Sequence, residues 1–404
     1  MRVLLLSQVF PPQTGGSGRW FWEIYRRLPR EMVRVVAGDC AAAAAFDRTH
    51  DLAVERVGLS FPGWGIASFG GLRRYLGLAR RLRRLVRAEQ IDAIHCGCTW
   101  PEGVAAWLVK ITTGTPYLIY VHGEELSFRG RELAWLRRRV FGSAAMVVAN
   151  SRNTMRLLAN DWDVPAGKLR LLHPGVDIER FTPAEPCEAT RERLGWAGRT
   201  VVLTVGRLQK RKGHDMMIRA LPQIRRNVPD VLYSIVGDGG ERAALERLVA
   251  EHGVKDYVQF RGEPDDDELI RCYQQCDLFA LPNRTVGGDF EGFGMVLLEA
   301  QACGKPVLAG DSGGTAETMS LGDGDFPATG TIVSCDEPGP LAQRVVRLLS
   351  DDEKRSSMGR AGREWAATRF GWEALSQQAL EMFGGNPATL SRNGRSNEFR
   401  VVAN

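Results

Sequence analysis

The chain has 404 residues, more than one hydrophobic core ordinarily sustains, so two domains are expected. Hydrophobic content of 44% and charged content of 25% are those of a soluble globular protein, and no apolar run reaches the ~18 residues that would span a bilayer. The net charge of +5 is unevenly held: residues 1–185 carry 26 Lys+Arg against 17 Asp+Glu (+9), and the remainder 27 against 31 (−4). So mild a basicity, with no reading motif, argues against nucleic acid as a partner.

The opening MRVLLLSQVF is too short for a secretory signal, lacks a cleavage site and reads as a first buried strand. Apolar β-type runs then recur: Val33–Asp39, Ile91–Gly97, Pro116–Gly123, Ala145–Asn150 and Leu169–Gly175 in the first half. Thr200–Arg207, Val231–Gly237, Tyr257–Gly262, Asp277–Leu281, Pro306–Ala309 and Thr331–Cys335 follow in the second. Between them lie helical patterns, among them Trp20–Leu28, Leu72–Arg87, Met216–Asn227, Glu241–His252 and Leu341–Leu349. Strand–helix alternation with apolar strands predicts parallel sheets covered on both faces, hence two doubly wound α/β domains. The linker is expected in Thr182–Gly198, with domains over residues 1–185 and 186–364. A last helix, Trp365–Phe383, contains Trp372, and the polar stretch after Gly384 is expected to be disordered.

Chemistry concentrates at the carboxyl ends of these strands, where open α/β sheets bind ligands. After the first strand, Phe10–Arg19 carries three glycines, among them Gly15 and Gly16, which let backbone amides approach a phosphate; a plain tight turn is the alternative. The loop is not G-x-G-x-x-G, and Asp39 is the sole candidate for a ribose acid, so a dinucleotide-dependent oxidoreductase is a weak match. His122 ends the strand Tyr117–His122 and is followed by Gly123, Glu124 and Glu125; it is either structural or a ligand-facing histidine, and both acids are expected to be solvated. Arg207, Lys210, Arg211 and Lys212 form a cationic loop that is either solvated or set to hold a leaving diphosphate. Gly237–Gly240 is a further turn of this kind. Asp265-Asp266-Asp267 reads as a run of helix-capping acids. Cys96 with Cys98 and Cys272 with Cys276 lack histidine partners, so no metal site and reduced cytosolic thiols are expected.

The densest stretch is Asn283–Glu317. A buried strand ends at Pro282, an acidic Gly-rich loop follows, and a helix begins near Met295. Gly292 and Gly294 leave the first amides of that helix uncovered, which suits an anion. Glu291 and Glu299 bracket it within ~12 Å along the helix axis. Hydroxyls at both ends with an anion between describe a nucleotide sugar.

Glu291 to Glu299, within EGFGMVLLEAQACGKPV, resembles the E-x7-E segment of the family 4 retaining glycosyltransferases, which have the GT-B fold: two Rossmann-like domains facing each other across a cleft. ACGKPV, Gly313-Gly314 and Glu317 fit the same family's next strand and loop. The resemblance implies that Arg207 and Lys212, five residues apart, hold the donor diphosphate, with Gly15 and Gly16 at the diphosphate and the acceptor entrance. It implies that His122 lies against the donor sugar and Glu291 holds its hydroxyls, with Gly292, Phe293, Gly294, Met295, Val296 and Glu299 completing the donor site. Arg261 falls where the base pocket forms, Lys210 and Arg211 are left as surface residues, and the last helix crosses back onto the first domain. Transfer would proceed with retention, by a front-face route, without a metal or cofactor, since no Asp-x-Asp metal motif of the usual glycosyltransferase kind precedes the site. His173–Asp177 resembles mannosyl-transferring members of glycolipid and polysaccharide assembly, which implies GDP-mannose and a glycan or lipid-linked acceptor. The alternative is a catalytically silent nucleotide-sugar-binding subunit, but all five of His122, Arg207, Lys212, Glu291 and Glu299 are present. The basic amphipathic segment Leu72–Arg87, preceded by Phe61, Trp64 and Phe69 and echoed by Arg137–Arg139, reads either as a water-facing outer helix or as peripheral attachment to the anionic inner face of a membrane.

Overall fold

The computed structural model describes residues 1–13, 15–59, 68–127 and 131–384; Phe61, Trp64 and the polar tail after Gly384 lie outside them. Two compact units emerge, Met1–His173 joined by the chain from Glu373, and Pro174–Trp372. The sequence placed the boundary at 185; the compact units divide at His173/Pro174.

The first unit holds seven parallel strands: β1 (Val3–Ser7), β2 (Val33–Gly38), β3 (Ala53–Val57), β4 (Ala93–Cys96), β5 (Tyr117–Val121), β6 (Met146–Ala149) and β7 (Leu169–Leu171). They lie in the order β3-β2-β1-β4-β5-β6-β7, so the winding reverses between β1 and β4. The second unit holds β8 (Thr200–Val205), β9 (Val231–Val236), β10 (Val258–Gly262), β11 (Leu278–Leu281), β12 (Val307–Gly310) and β13 (Gly330–Val333). Their order, β10-β9-β8-β11-β12-β13, reverses between β8 and β11. These reversals matter, because a crevice opens at the carboxyl ends of the strands on either side of one.

Strand residues feed two faces in alternation. Val202, Tyr233, Ile235, Leu278 and Leu308 pack on one side of the second sheet. Val201, Leu203, Leu232, Phe279, Leu281 and Val307 pack on the other. Each fully buried aliphatic or aromatic side chain contributes about 1.5–3 kcal/mol, so this double coverage dominates the stability of each unit. β3 was not foreseen. Its sequence, AVERV, sits at the sheet edge with only Val57 buried, and its Glu55 pairs with Arg34 at 3.0 Å and with Arg81, so the apolar run that marks a central strand is missing.

The expected single helix over 365–383 is two helices, Asp352–Phe370 and Trp372–Gly384. Gly371 turns extended between them (φ −61°, ψ 134°), and the Phe370 carbonyl accepts from the Val176 amide at 2.8 Å instead of continuing the helix. Trp372 therefore opens the last helix. That helix belongs to the first unit: Phe383 stacks on Tyr25 at 6.1 Å and lies 4.5 Å from His95. The linker stretch 182–198 holds a short helix, Glu188–Arg193, and the capping role read for Asp265 holds, with its Oδ1 accepting from Glu268 N at 2.8 Å.

Candidate active site

In the second unit the chemistry gathers at the β8/β11 reversal. The loop leaving β8 turns back at Gly213 (φ +76°), where a Cβ would meet the Pro282 carbonyl oxygen at 1.7 Å. Only glycine allows the cationic loop to close onto the end of β11. There Lys212 Nζ lies 2.6 Å and Arg211 Nη1 2.7 Å from the same oxygen of Glu291. Arg211 also reaches Asp289 at 3.3 Å. All three of Arg211, Lys212 and Glu291 are buried, whereas Arg207 and Lys210 are exposed.

Two cations on one buried carboxylate decide its protonation. Burial alone would raise the Glu291 pKa; Lys212, then Arg211, and to a lesser extent Arg207 outweigh it and hold the carboxyl below its ordinary value. His214, just beyond, bonds Tyr233 Oη at 3.1 Å, and burial followed by Lys212 pushes its pKa down to about 4. It is neutral near pH 7 and adds no charge to the cluster.

The Glu291 loop is braced from behind. Gly313 (φ +64°) has no room for a Cβ, which would lie 1.9 Å from the Glu291 carbonyl oxygen, and Gly314 N donates to that oxygen at 3.0 Å. Asn283, fully buried, accepts from Gly310 N at 3.0 Å and donates to Thr315 Oγ1 at 2.7 Å, tying the ends of β11 and β12 together. Arg284 clasps Asp215 with two bonds of 2.9 and 2.7 Å. Gly294 (φ +98°) then caps the helix Met295–Ala302, whose first amides have no carbonyl within the helix to bond. Glu299 is held inside that helix by the Tyr273 hydroxyl at 2.7 Å.

Two expectations need correction. Arg211 is not a surface residue; it is 3% exposed and shares Glu291 with Lys212. Glu125 is not merely solvated, since its carboxylate accepts from the His122 amide, with both oxygens at 3.2 Å. Arg261 lies at the end of β10, but its guanidinium binds the Leu194 carbonyl at 2.8 Å, Gln259 at 3.1 Å and Glu268, and lies over the Trp196 ring.

In the first unit His122 stands at the end of β5 with its backbone held by Glu125 and by Asn150 Nδ2 at 2.9 Å. Its Nε2 is 2.8 Å from the Gly97 carbonyl, which can only accept, so Nε2 carries the proton and neutral His122 keeps its lone pair on Nδ1. Trp20 and Phe21 meet the ring edge-on at 5.5 and 5.6 Å. Gly15 caps the helix Gly16–Tyr25, and both glycines are exposed. Among the described residues no group of three or more His, Cys, Asp or Glu is placed to hold a metal.

Known proteins place this architecture. Residues 14–180 match the family model "Glycosyltransferase Family 4" and residues 188–365 the model "Glycosyl transferases group 1". The chain is 34% identical to a GDP-mannose-dependent alpha-(1-6)-phosphatidylinositol monomannoside mannosyltransferase of Mycolicibacterium smegmatis, over 95% of this chain and 98% of the other. The chain belongs to the family 4 glycosyltransferases. A Corynebacterium glutamicum mannosyltransferase named for the monoacylated form of the same acceptor is 31% identical over 96% of this chain and 98% of its own. In fold, Anabaena HepE crystallised with UDP superposes with a TM-score of 0.80 at 23% identity, over 95% of this chain and 100% of that one. The protein is a nucleotide-sugar-dependent glycosyltransferase of GT-B type, as its E-x7-E segment suggested.

The sequence reading missed Arg211, Asp289, Tyr273 and His214 as members of the site. Tyr273 and His214 look like ordinary core residues, and Arg211 is hidden inside a charge run. Gly213, two residues on, was the one local signal of a forced turn, but Glu291, which receives Arg211, lies 80 residues further along the chain.

Proposed function

We propose that this enzyme transfers mannose from GDP-mannose, with retention, to a phosphatidylinositol-linked mannoside at a membrane surface. The observation that carries the donor half is the buried Lys212–Glu291–Arg211 cluster at the β8/β11 reversal, beside a helix N-terminus: cations for a diphosphate and a fixed carboxylate for sugar hydroxyls. The nucleotide, the sugar and the acceptor rest on the names of relatives that align over nearly the whole chain.

In this reading Arg207 and Lys212, with the amides of Gly292 to Val296, bind the diphosphate. Phe293 is buried under that turn, Glu291 takes sugar hydroxyls, and Glu299 takes the ribose. The family pattern gives His122 to the sugar and Gly15 with Gly16 to the diphosphate. An acceptor oxygen bonds to the anomeric carbon as the bond from that carbon to the diphosphate breaks, and the acceptor's proton passes to the departing phosphate oxygen. Lys212 and Arg207 stabilise the charge that develops there. Side chains and amides supply that charge without a metal, so EDTA is expected to leave the rate unchanged, and its abolition by EDTA with recovery on adding Mg²⁺ would refute this.

The acceptor half is supported by the helix Phe69–Ala88. Phe69, Leu72 and Leu76, at i, i+3 and i+7, are 86%, 48% and 38% exposed, while Tyr75, Leu78, Leu82 and Val86 face the core. Arg73, Arg80, Arg84 and Arg87 are exposed on the same helix. Exposed apolar side chains in its first two turns, with exposed arginines along its length, suit docking on an anionic bilayer. No helix of the described residues is long and apolar enough to cross a membrane. Transfer of labelled mannose from GDP-mannose to phosphatidylinositol monomannoside in mixed vesicles tests the whole reading. Transfer from UDP-glucose instead would displace the donor assignment.

A further inference from the structure

At the other reversal, between β1 and β4, a carboxyl lies fully buried. Glu102 Oε1 accepts from the Gln8 amide at 2.7 Å, and its Oε2 is 2.8 Å from the Cys98 sulfur, which in turn lies 2.7 Å from the Trp100 carbonyl. Gln8 belongs to the loop after β1, the loop that leads to Gly15 and Gly16. Cys98 belongs to the loop after β4 and adjoins Gly97, whose carbonyl fixes the His122 ring. Gln8 is confined from its other side too, since a Cβ on Gly38 would come within 2.1 Å of its carbonyl oxygen.

We propose that Glu102 is a positioning residue, whose carboxyl clamps the loop after β1 to the loop after β4 and thereby sets the His122 ring for the reaction. This rests on the reading that His122, Gly15 and Gly16 serve the donor. Every atom is satisfied in either charge state: Gln8 N–H donates to Oε1, and the Cys98 thiol donates to Oε2 of the carboxylate, whereas in the neutral acid Oε2–H donates to the Cys98 sulfur and the thiol to the Trp100 carbonyl. Burial raises Glu102 to about 7; the Cys98 and Gln8 hydrogen bonds oppose the rise and Glu125 adds to it. The titratable groups around it are Cys98, Cys96 on β4, Tyr75 from the helix Phe69–Ala88, and Glu125, none of them a cation.

The test compares Glu102→Gln with Glu102→Ala in the full chain. Glutamine reproduces the clamp, its oxygen accepting from Gln8 and its amide donating to Cys98; alanine removes it. Two readouts are taken: the ¹⁵N resonances of the His122 ring, and kcat and KM for mannose transfer from GDP-mannose. Wild type and Glu102→Gln are expected to hold the Nε2–H tautomer, with kcat within about threefold of each other. Glu102→Ala is expected to mix the tautomers and to lower kcat by about tenfold or more, with little change in donor KM. Should the alanine variant fail to fold, Cys98→Val breaks one arm of the clamp and is expected to give the same signature. An unchanged His122 ring, or kcat within about twofold of wild type in the variants without a clamp, overturns the proposal. Absence of transfer in the wild type would count against the donor reading, while the ring resonances still decide the clamp.

Discussion

Glu291 and Glu102 occupy equivalent places in the two sheets, each buried where the winding reverses, and they titrate in opposite directions. Glu291 has Lys212 at 2.6 Å and Arg211 at 2.7 Å and is held below the ordinary carboxyl range. Glu102 has an amide, a thiol and a nearby carboxylate, and rises to about 7. Burial is common to both, so the neighbours decide the charge state. The first unit presents a carboxyl that can be neutral at physiological pH, the second a carboxylate fixed as an anion with two cations around it.

The sharpest way to break this contrast is to remove a cation that also serves the donor. Lys212→Ala is expected to lower kcat by about 10²–10³-fold, as losing one preorganised donor to a developing oxyanion does. Steady-state transfer from GDP-mannose checks it, and a loss confined to KM would reassign Lys212 to ground-state binding. Next comes Arg211→Met, which takes one of two contacting cations from Glu291 and removes the ion pair with Asp289. The expected loss is about 3 kcal/mol of stability, the low end for a broken buried pair, read by guanidinium unfolding. An unchanged unfolding midpoint would mean that the Arg211–Glu291 pair has no net value.

The third prediction concerns the pH dependence of stability. The pKa of Glu102 rises from 4.5 unfolded to about 7 folded, so between these values the folded state binds the extra proton. Stability from this group is present below the unfolded value and is lost as pH rises through about 7, in total on the order of 3 kcal/mol. Glu291 has the opposite sign: its contribution is present above its unfolded pKa and is lost as pH falls through its lowered folded value. Glu102→Gln should therefore flatten the decline in stability between about pH 5 and 8 and leave the acid limb in place. Parallel curves for variant and wild type would show that Glu102 is not the titrating group.

The two carboxyls also mark how far the sequence could be read. Apolar runs gave twelve of the thirteen strands among the described residues, because buried parallel strands write themselves as continuous hydrophobic segments. β3, with Glu55 and Arg56 facing other charges, does not. The E-x7-E segment gave Glu291 and Glu299, and strand ends gave His122, because open sheets bind at their carboxyl edges. Glu102 was passed over: its value comes from Gln8, 94 residues away, and that pairing exists only once β1 and β4 lie side by side. Gly371 was missed because a single glycine is common inside helical patterns, and only its contact with Val176 shows that the chain turns there.

Arg211 and Lys210 give the smallest predicted effect and the most discriminating one. They are adjacent, both are cations in the same short helical turn, and composition cannot tell them apart. The turn directs Arg211 inward to Glu291 and Asp289 and leaves Lys210 facing solvent. Lys210→Ala should therefore change stability by no more than about 0.5 kcal/mol, as a surface substitution away from caps, cores and ion pairs does, and should leave donor KM unchanged. Equal losses in Lys210→Ala and Arg211→Met would mean that the loop acts through its summed charge on an anionic donor. A loss in Arg211→Met alone assigns the effect to the buried pair, and makes the direction of one side chain, not the number of cations, what the β8 loop contributes to the site.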